Sequence, residues 1–170
     1  MSGLEWDTIA LLTGTAFLAG FIDSIAGGGG LLTVPALLIA GIDPVTAVAT
    51  NKVQGTLSIV SALVTYGRKG LIEWRASLPM GLIALIFGGC GALLIQFFSK
   101  EVIAALIPIL LITVALYFGL MRGVGDADRK ARWSLPLFLS LAIPPLALYD
   151  GFLGPGAGSF YAAALIGLLG

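Results

Sequence analysis

An apolar stretch from Gly20 to Leu37, GFIDSIAGGGGLLTVPAL, carries an acid at Asp23 and then breaks into four consecutive glycines, Gly27, Gly28, Gly29 and Gly30. Glycine costs about 1 kcal/mol per residue against alanine in a helix, and Pro35 biases Val34 away from helical angles. Residues 27–33 therefore read as extended backbone. Thr33 is placed to cap a short helix running to about Ala40, which Gly41 would end. Such a helix spans only about 12 Å and cannot cross a hydrocarbon core alone. Irregular backbone in apolar surroundings is tolerated only where protein or a water-filled cavity satisfies its polar groups.

The surroundings are apolar throughout. Of 170 residues, 58% are hydrophobic and 11% charged, and the mean hydropathy is +1.05, outside the range of soluble domains. Apolar segments at 8–26, 30–41, 44–66, 76–98, 102–121 and 135–149 are mostly long enough to cross roughly 30 Å of hydrocarbon as helices. The fold class that follows is an all-α integral membrane protein, a polytopic helical bundle with glycine-broken helices. Glu5, Trp6 and Asp7 give the first segment a polar and aromatic flank, and no basic leader or cleavage pattern marks it as a signal peptide. With no histidine and the single Cys90, a zinc site, a disulfide framework and a Cys/His couple are excluded. Cys90 reads as a small packing residue. Zero formal net charge argues against nucleic acid as a partner, and no motif calls for a cofactor.

Asp43 and Pro44 form an N-cap and first-turn pair that starts segment 3. At helical spacing Thr50, Gln54, Ser58, Ser61 and Thr65 fall within about 80° of one another, with Asn51 at the edge, a stripe expected to face protein or water. Lys52 lies about 12 Å into this helix and points away from the stripe. The loop with Arg68, Lys69 and Arg75 and the loop with Arg122, Arg129, Lys130 and Arg132 are basic, whereas the turn at Lys100 and Glu101 is nearly neutral. The positive-inside rule puts the basic loops in the cytoplasm.

The opening pattern then returns. In YDGFLGPGAGSF, Asp150 stands four residues before Gly154, as Asp23 stands four before Gly27, and Gly156 and Gly158 follow. Two such copies, each after a transmembrane segment, point to an internal repeat, with residues 1–125 as the first unit and 126–170 as the start of a second, incomplete one. If segment 2 completes a crossing, the copies are inverted and the N-terminus is outside. If it is re-entrant, they are parallel and the N-terminus is inside.

GFIDSIAGGGGLLTVPAL, DPVTAVATNKVQG, RKGLIEWR and YDGFLGPGAGSF together resemble the sulfite exporter family of TauE/SafE type, bacterial membrane permeases associated with sulfite and sulfonates. The resemblance implies a secondary transporter for small sulfur-containing anions in the bacterial inner membrane. It also implies a longer, two-repeat chain, so the second repeat is expected to be incomplete at Gly170. The residues it points to are Asp23, Gly27 to Gly30, Thr50, Asn51, Lys52 and Gln54, and in part Asp150, Gly154, Gly156 and Gly158; Ser159, next to the last of these, is a further candidate for binding the anion.

Chemistry supports several of these roles without deciding all of them. Free N–H groups at the mouth of a short helix make an anion site, although glycines also permit close helix packing. Asp23 and Asp150 either bind a coupling proton or cation, or hold the glycine breaks in shape. Lys52 either recognises the anion or snorkels to the interface. The expected partners are a small anionic substrate, the lipid bilayer, a coupling proton or cation and, as a further candidate, a second copy of the chain. A non-transporting membrane subunit or scaffold is the alternative function. An intramembrane aspartyl protease is remote, because both acids precede their glycines at matched spacing, so the chain is not expected to be an enzyme.

Overall fold

Eight α-helices carry the regular structure of residues 6–120 and 132–169, the part of the chain that the computed structural model describes. In order they are α1 (Trp6–Ala26), α2 (Gly30–Ile39), α3 (Pro44–Arg68), α4 (Trp74–Leu94), α5 (Lys100–Leu120), α6 (Leu135–Leu141), α7 (Ile143–Phe152) and α8 (Ala157–Ala164). A 3-10 turn at Ile95–Phe97 extends α4, and a π turn at Leu165–Leu169 continues α8. The protein is an all-α membrane protein. Four of its spans, Trp6–Ile25, Trp74–Phe97, Lys100–Tyr117 and Leu135–Phe152, are long and apolar enough to cross a membrane. Leu78, Leu82, Ile86 and Leu93 of α4 and Phe17, Leu18 and Phe21 of α1 are exposed, as suits contact with lipid rather than water. The basic loop at residues 121–131, with Arg122, Arg129 and Lys130, lies outside the described residues, as does the boundary at 125/126.

Local chemistry sets the ends of these helices. The Asp43 carboxylate accepts the Thr46 N–H at 3.3 Å, and Pro44 opens α3. Gly41 and Gly70 take φ of +78° and +68°, letting Ile42 N–H reach Leu37 O and Leu71 N–H reach Tyr66 O, so α2 and α3 end in the same glycine-dependent way.

Four expectations need correction. The break after α1 is shorter than residues 27–33, because the Gly29 carbonyl accepts the N–H groups of Leu32 and Thr33 at 2.9 and 3.0 Å and winds the first turn of α2. Thr33 is therefore inside that helix and does not cap it; its hydroxyl donates to Gln54 Oε1 at 2.8 Å instead. The segment at 135–149 is not one helix but α6 and α7, since Pro144 and Pro145 lack the N–H groups that would bond back to Ser140 and Leu141. Cys90 is exposed and fills no packing gap among the described residues.

Helix directions follow from the contacts. Gln54 Nε2 donates to Ala16 O, Gly20 faces Ser58, and Tyr66 Oη donates to Ser24 O, so α1 and α3 run the same way. Only residues 40–43 join α2 to α3, and the two pack together, so α2 turns back beside α1 as a hairpin. Asp43 pairs with Lys100 at 3.6 Å, which sets the N-terminal ends of α3 and α5 side by side. α4 leads from the end of α3 to the start of α5 and is antiparallel to both. Gly88 meets Ala147 and Gly151 while Gly91 meets Leu148 and Phe152, so α7 runs with α4 and against α1. α8 turns back in its turn, and Leu168 O accepts the N–H groups of Arg132 and Trp133 near the start of α6. The two glycine-broken hairpins are thus inverted relative to each other, the arrangement that the crossing form of segment 2 requires.

Apolar contacts close both ends of the bundle. Val34, Val48, Ile103, Ile107 and Leu153 form one cluster towards the Asp43 end. Phe138, Ala142 and Ile143, with Met80 and Ile83 against them, form the other near the starts of α4 and α6.

Candidate functional site

Between those clusters the two breaks meet backbone to backbone. The Ser159 N–H donates to Gly27 O at 3.2 Å, and a Cβ on Gly27 would stand 2.5 Å from the Cα of Gly158. Gly27 and Gly154 both take positive φ, +69° and +91°, four residues after their acids. α2 and α8 each begin at the seventh residue after theirs. The matched spacing seen in the sequence is matched in conformation at Gly27 and Gly154, but not just before the helices, where Gly29 has φ -59° and Gly156 φ +78°.

Close packing of α4 on α7 brings the second acid to the same place. A side chain on Gly151 would overlap the carbonyl of Gly88, and one on Gly91 would overlap that of Leu148, so only glycine allows this approach. A cavity of about 410 Å³ results. Its charged side chains are Asp23, Lys52 and Asp150, and Asn51, Thr56 and Tyr161 add polar groups.

The two acids do different work. Asp23 Oδ1 accepts the Gly29 N–H at 2.7 Å, so the carboxylate sits at the start of α2 and holds the first break in shape. Asp150 instead pairs across the repeats: Lys52 Nζ lies 3.6 Å from Asp150 Oδ1 and donates to the Asp150 carbonyl oxygen. This pair links α3 to α7, 98 residues apart in sequence.

Of the residues singled out by sequence, Asp23, Gly27, Gly30, Asn51, Lys52, Asp150, Gly154, Gly156 and Gly158 line the cavity. Gly28, Gly29, Thr50, Gln54 and Ser159 do not. Gly28 packs near the Ser159 hydroxyl behind the cavity wall, and the Gly29 N–H is taken by Asp23. Thr50 is exposed. Gln54 serves structure, accepting from Thr33 and donating to Ala16 O, both at 2.8 Å. The polar stripe on α3 therefore packs partly on α1, and Ser61 and Thr65 at its far end are exposed.

The cavity opens on the other face of α3, the one Lys52 shares with Gly55, Thr56 and Ile59. No break in α3 is needed to turn Lys52 inward. Sequence reasoning missed Gly55, Thr56, Gly88, Gly89 and Tyr161. The spacing of three and four residues from Lys52 to Gly55 and Thr56 was the available signal. A second groove of about 450 Å³, between α5 and α7, is lined by Leu106, Leu110, Val114, Leu146 and Leu153 among others and carries no charged side chain, so it does not suit an anion. Among the described residues, no three of His, Cys, Asp and Glu converge on a metal-sized point.

Comparison with known proteins adds the family. The sequence profile of the sulfite exporter TauE/SafE family matches residues 12–170. The chain belongs to this family. It is 44% identical over 170 residues to a probable membrane transporter protein, ORF9, of Sinorhizobium sp, covering 100% of this chain and 65% of that protein. It is 46% identical over 165 residues to the probable membrane transporter protein YfcA of Escherichia coli, covering 95% of this chain and 60% of that one. A probable membrane transporter protein of Haemophilus influenzae is 41% identical over 164 residues, 96% of this chain and 64% of that protein. The chain thus spans 60–65% of the length of these TauE/SafE relatives. No solved structure matches it.

Proposed function

We propose that this membrane transporter of the TauE/SafE family carries small sulfur-containing anions, sulfite or organosulfonates, across the bacterial inner membrane by alternating access. The observation that carries the reading is Lys52. A cation about 12 Å into a transmembrane helix is costly, and here it faces a cavity built where two inverted, glycine-broken hairpins meet. A tetrahedral or pyramidal oxyanion suits an ammonium backed by the small, close-approaching backbones of Gly27, Gly154 and Gly156. The family's description as sulfite exporters supports the substrate class.

The basic loop holding Arg68, Lys69 and Arg75 faces the cytoplasm in this reading, which puts Asp43, Lys100 and the N-terminus outside. The apolar clusters at the two ends are the barriers that alternate. With no nucleotide-binding motif in the sequence, an ion gradient or the substrate's own gradient supplies the energy.

The test is flux into proteoliposomes containing the purified chain, with sulfite as the labelled solute and an organosulfonate and sulfate as competitors. Saturable sulfite uptake, competed by the sulfonate and lost in Lys52→Gln, is the expected result. Correctly inserted protein without saturable flux would overturn the reading in favour of a non-transporting subunit.

A further inference from the structure

We infer that the transported anion replaces the Asp150 carboxylate at Lys52, and that Asp150 is released for it by taking up one proton. The inference rests on the anion-transport reading above and adds the coupling ion and the residue that carries it.

The argument begins with Lys52 Nζ, which is held on the cavity wall by the Asp150 carboxylate and main-chain carbonyl. Lys52 and Asp150 are partly exposed on the cavity that they line, 31% and 46%, so the carboxylate that offsets the ammonium's charge is also within reach of a solute entering there. A substrate anion of the same charge can take the carboxylate's place at Lys52.

Charge then decides what becomes of Asp150. With both acids ionised, Asp23, Lys52 and Asp150 give the cavity one net negative charge. An incoming singly charged anion would raise this to two, with the displaced carboxylate beside it in a low-dielectric site. If a proton from bulk water binds the Asp150 carboxylate as it leaves Lys52, the loaded cavity keeps the single negative charge of the empty one. Because both forms carry the same charge between inward- and outward-facing states, a complete cycle that carries one anion with one proton moves no net charge through the membrane field.

Asp23 takes no part in the exchange, because Lys52 pairs with Asp150 while Asp23 Oδ1 accepts the Gly29 N–H at the start of α2. The remaining groups around Asp150 do not offer a competing site. α3 contributes Lys52, and α1 contributes Asp23. α4 presents Leu85, Gly88, Gly89 and Ala92, and α8 presents Tyr161. α6 has no ionisable side chain, and the Tyr149 hydroxyl on α7 itself donates to Pro155 O at 2.5 Å. The chain has no histidine.

The experiment uses proteoliposomes with a trapped pH dye and the membrane potential clamped at zero. Counterflow of labelled sulfite and methanesulfonate at uniform pH is measured first, because it reports the carrier regardless of coupling. Its absence in the wild-type chain overturns the anion reading and this inference with it. Where counterflow is present, an acidic exterior is expected to drive net uptake. Asp150→Asn should carry one proton fewer per anion than the wild type and lose its response to the pH gradient; the difference between the two proteins cancels any proton the anion itself carries. Equal proton counts in both proteins overturn the inference while leaving transport intact. Should Asp150→Asn fail to insert, the wild type still decides, since uptake of methanesulfonate that follows an imposed potential and ignores the pH gradient is incompatible with proton-balanced entry.

Discussion

Gly27 and Gly158 touch through their backbones, and that contact joins the two inverted hairpins at the middle of the molecule. It is also the tightest constraint on what either position accepts. A methyl on Gly27 would lie 2.5 Å from the Cα of Gly158, and Gly27 additionally has φ +69°. Overpacking costs about 1–3 kcal/mol, and a left-handed conformation costs an L-residue about 1–2 kcal/mol more. Gly27→Ala and Gly158→Ala should each lower the thermal unfolding midpoint of the detergent-solubilised protein, Gly27→Ala by more. Gly14→Ala on α1, with nothing within 4 Å of the added carbon, should not lower it.

Asp23 supports the first break by accepting a backbone N–H, which does not require its charge. Asp23→Asn keeps an acceptor oxygen in place, whereas Asp23→Ala leaves the Gly29 amide without one, at a cost of about 1–3 kcal/mol. The alanine variant should therefore unfold at clearly lower temperature than the asparagine variant. Equal midpoints for the two would show that the Gly29 bond contributes nothing.

How much of this was legible in the sequence depends on the kind of signal. Length and hydropathy mark four spans, because a membrane span must satisfy its backbone internally and so announces itself as an apolar run, whereas α3, which carries Asn51, Lys52 and Gln54, is too polar to be among them. Asp43-Pro44 and Gly41 mark their helix ends because the conformations there need those residues. The matched spacing of Asp23 to Gly27 and Asp150 to Gly154 gives the two breaks. The working face of α3 was not legible in the same way. Five polar residues from Thr50 to Thr65 outweigh one lysine in any periodicity argument, yet Gln54 and Ser58 of that stripe turn towards α1, and the cavity lies on the side of Lys52. The pairing of Lys52 with Asp150 is a tertiary fact. It depends on Gly88 and Gly151 letting α4 and α7 approach, and no local pattern encodes which helices meet.

The Thr33 hydroxyl donates to Gln54 Oε1, and Gln54 Nε2 donates onward to Ala16 O, so one side chain ties α2, α3 and α1 together. Polar contacts between helices in membranes contribute about 0.6 kcal/mol on average, less than their burial suggests. A double-mutant cycle with Thr33→Val and Gln54→Leu should return a coupling of about that size in detergent unfolding. A coupling indistinguishable from zero would mean that the two side chains are held by their other contacts.

Asp43 offers a pH-dependent test of the loop before α3. Its carboxylate accepts the Thr46 N–H and hydroxyl, both at 3.3 Å, and lies 3.6 Å from Lys100 Nζ. The Thr46 amide, first, and the lysine hold its pKa below the usual 3.8. A carboxyl whose folded pKa is depressed contributes stability that is fully present above the unfolded value. That contribution fades as pH falls below 3.8 and is gone once the folded value is passed. The midpoint difference between wild type and Asp43→Ala should therefore be constant near neutral pH and shrink below about pH 4. Asp43→Asn retains a capping oxygen that does not titrate, so its difference from the alanine variant should not shrink in the same window. Added salt should weaken only the part owed to Lys100, because the exposed ion pair is screened while the bond to the Thr46 amide is not. A wild-type advantage over alanine that survives undiminished to about pH 2 would show that the cap acts without its charge.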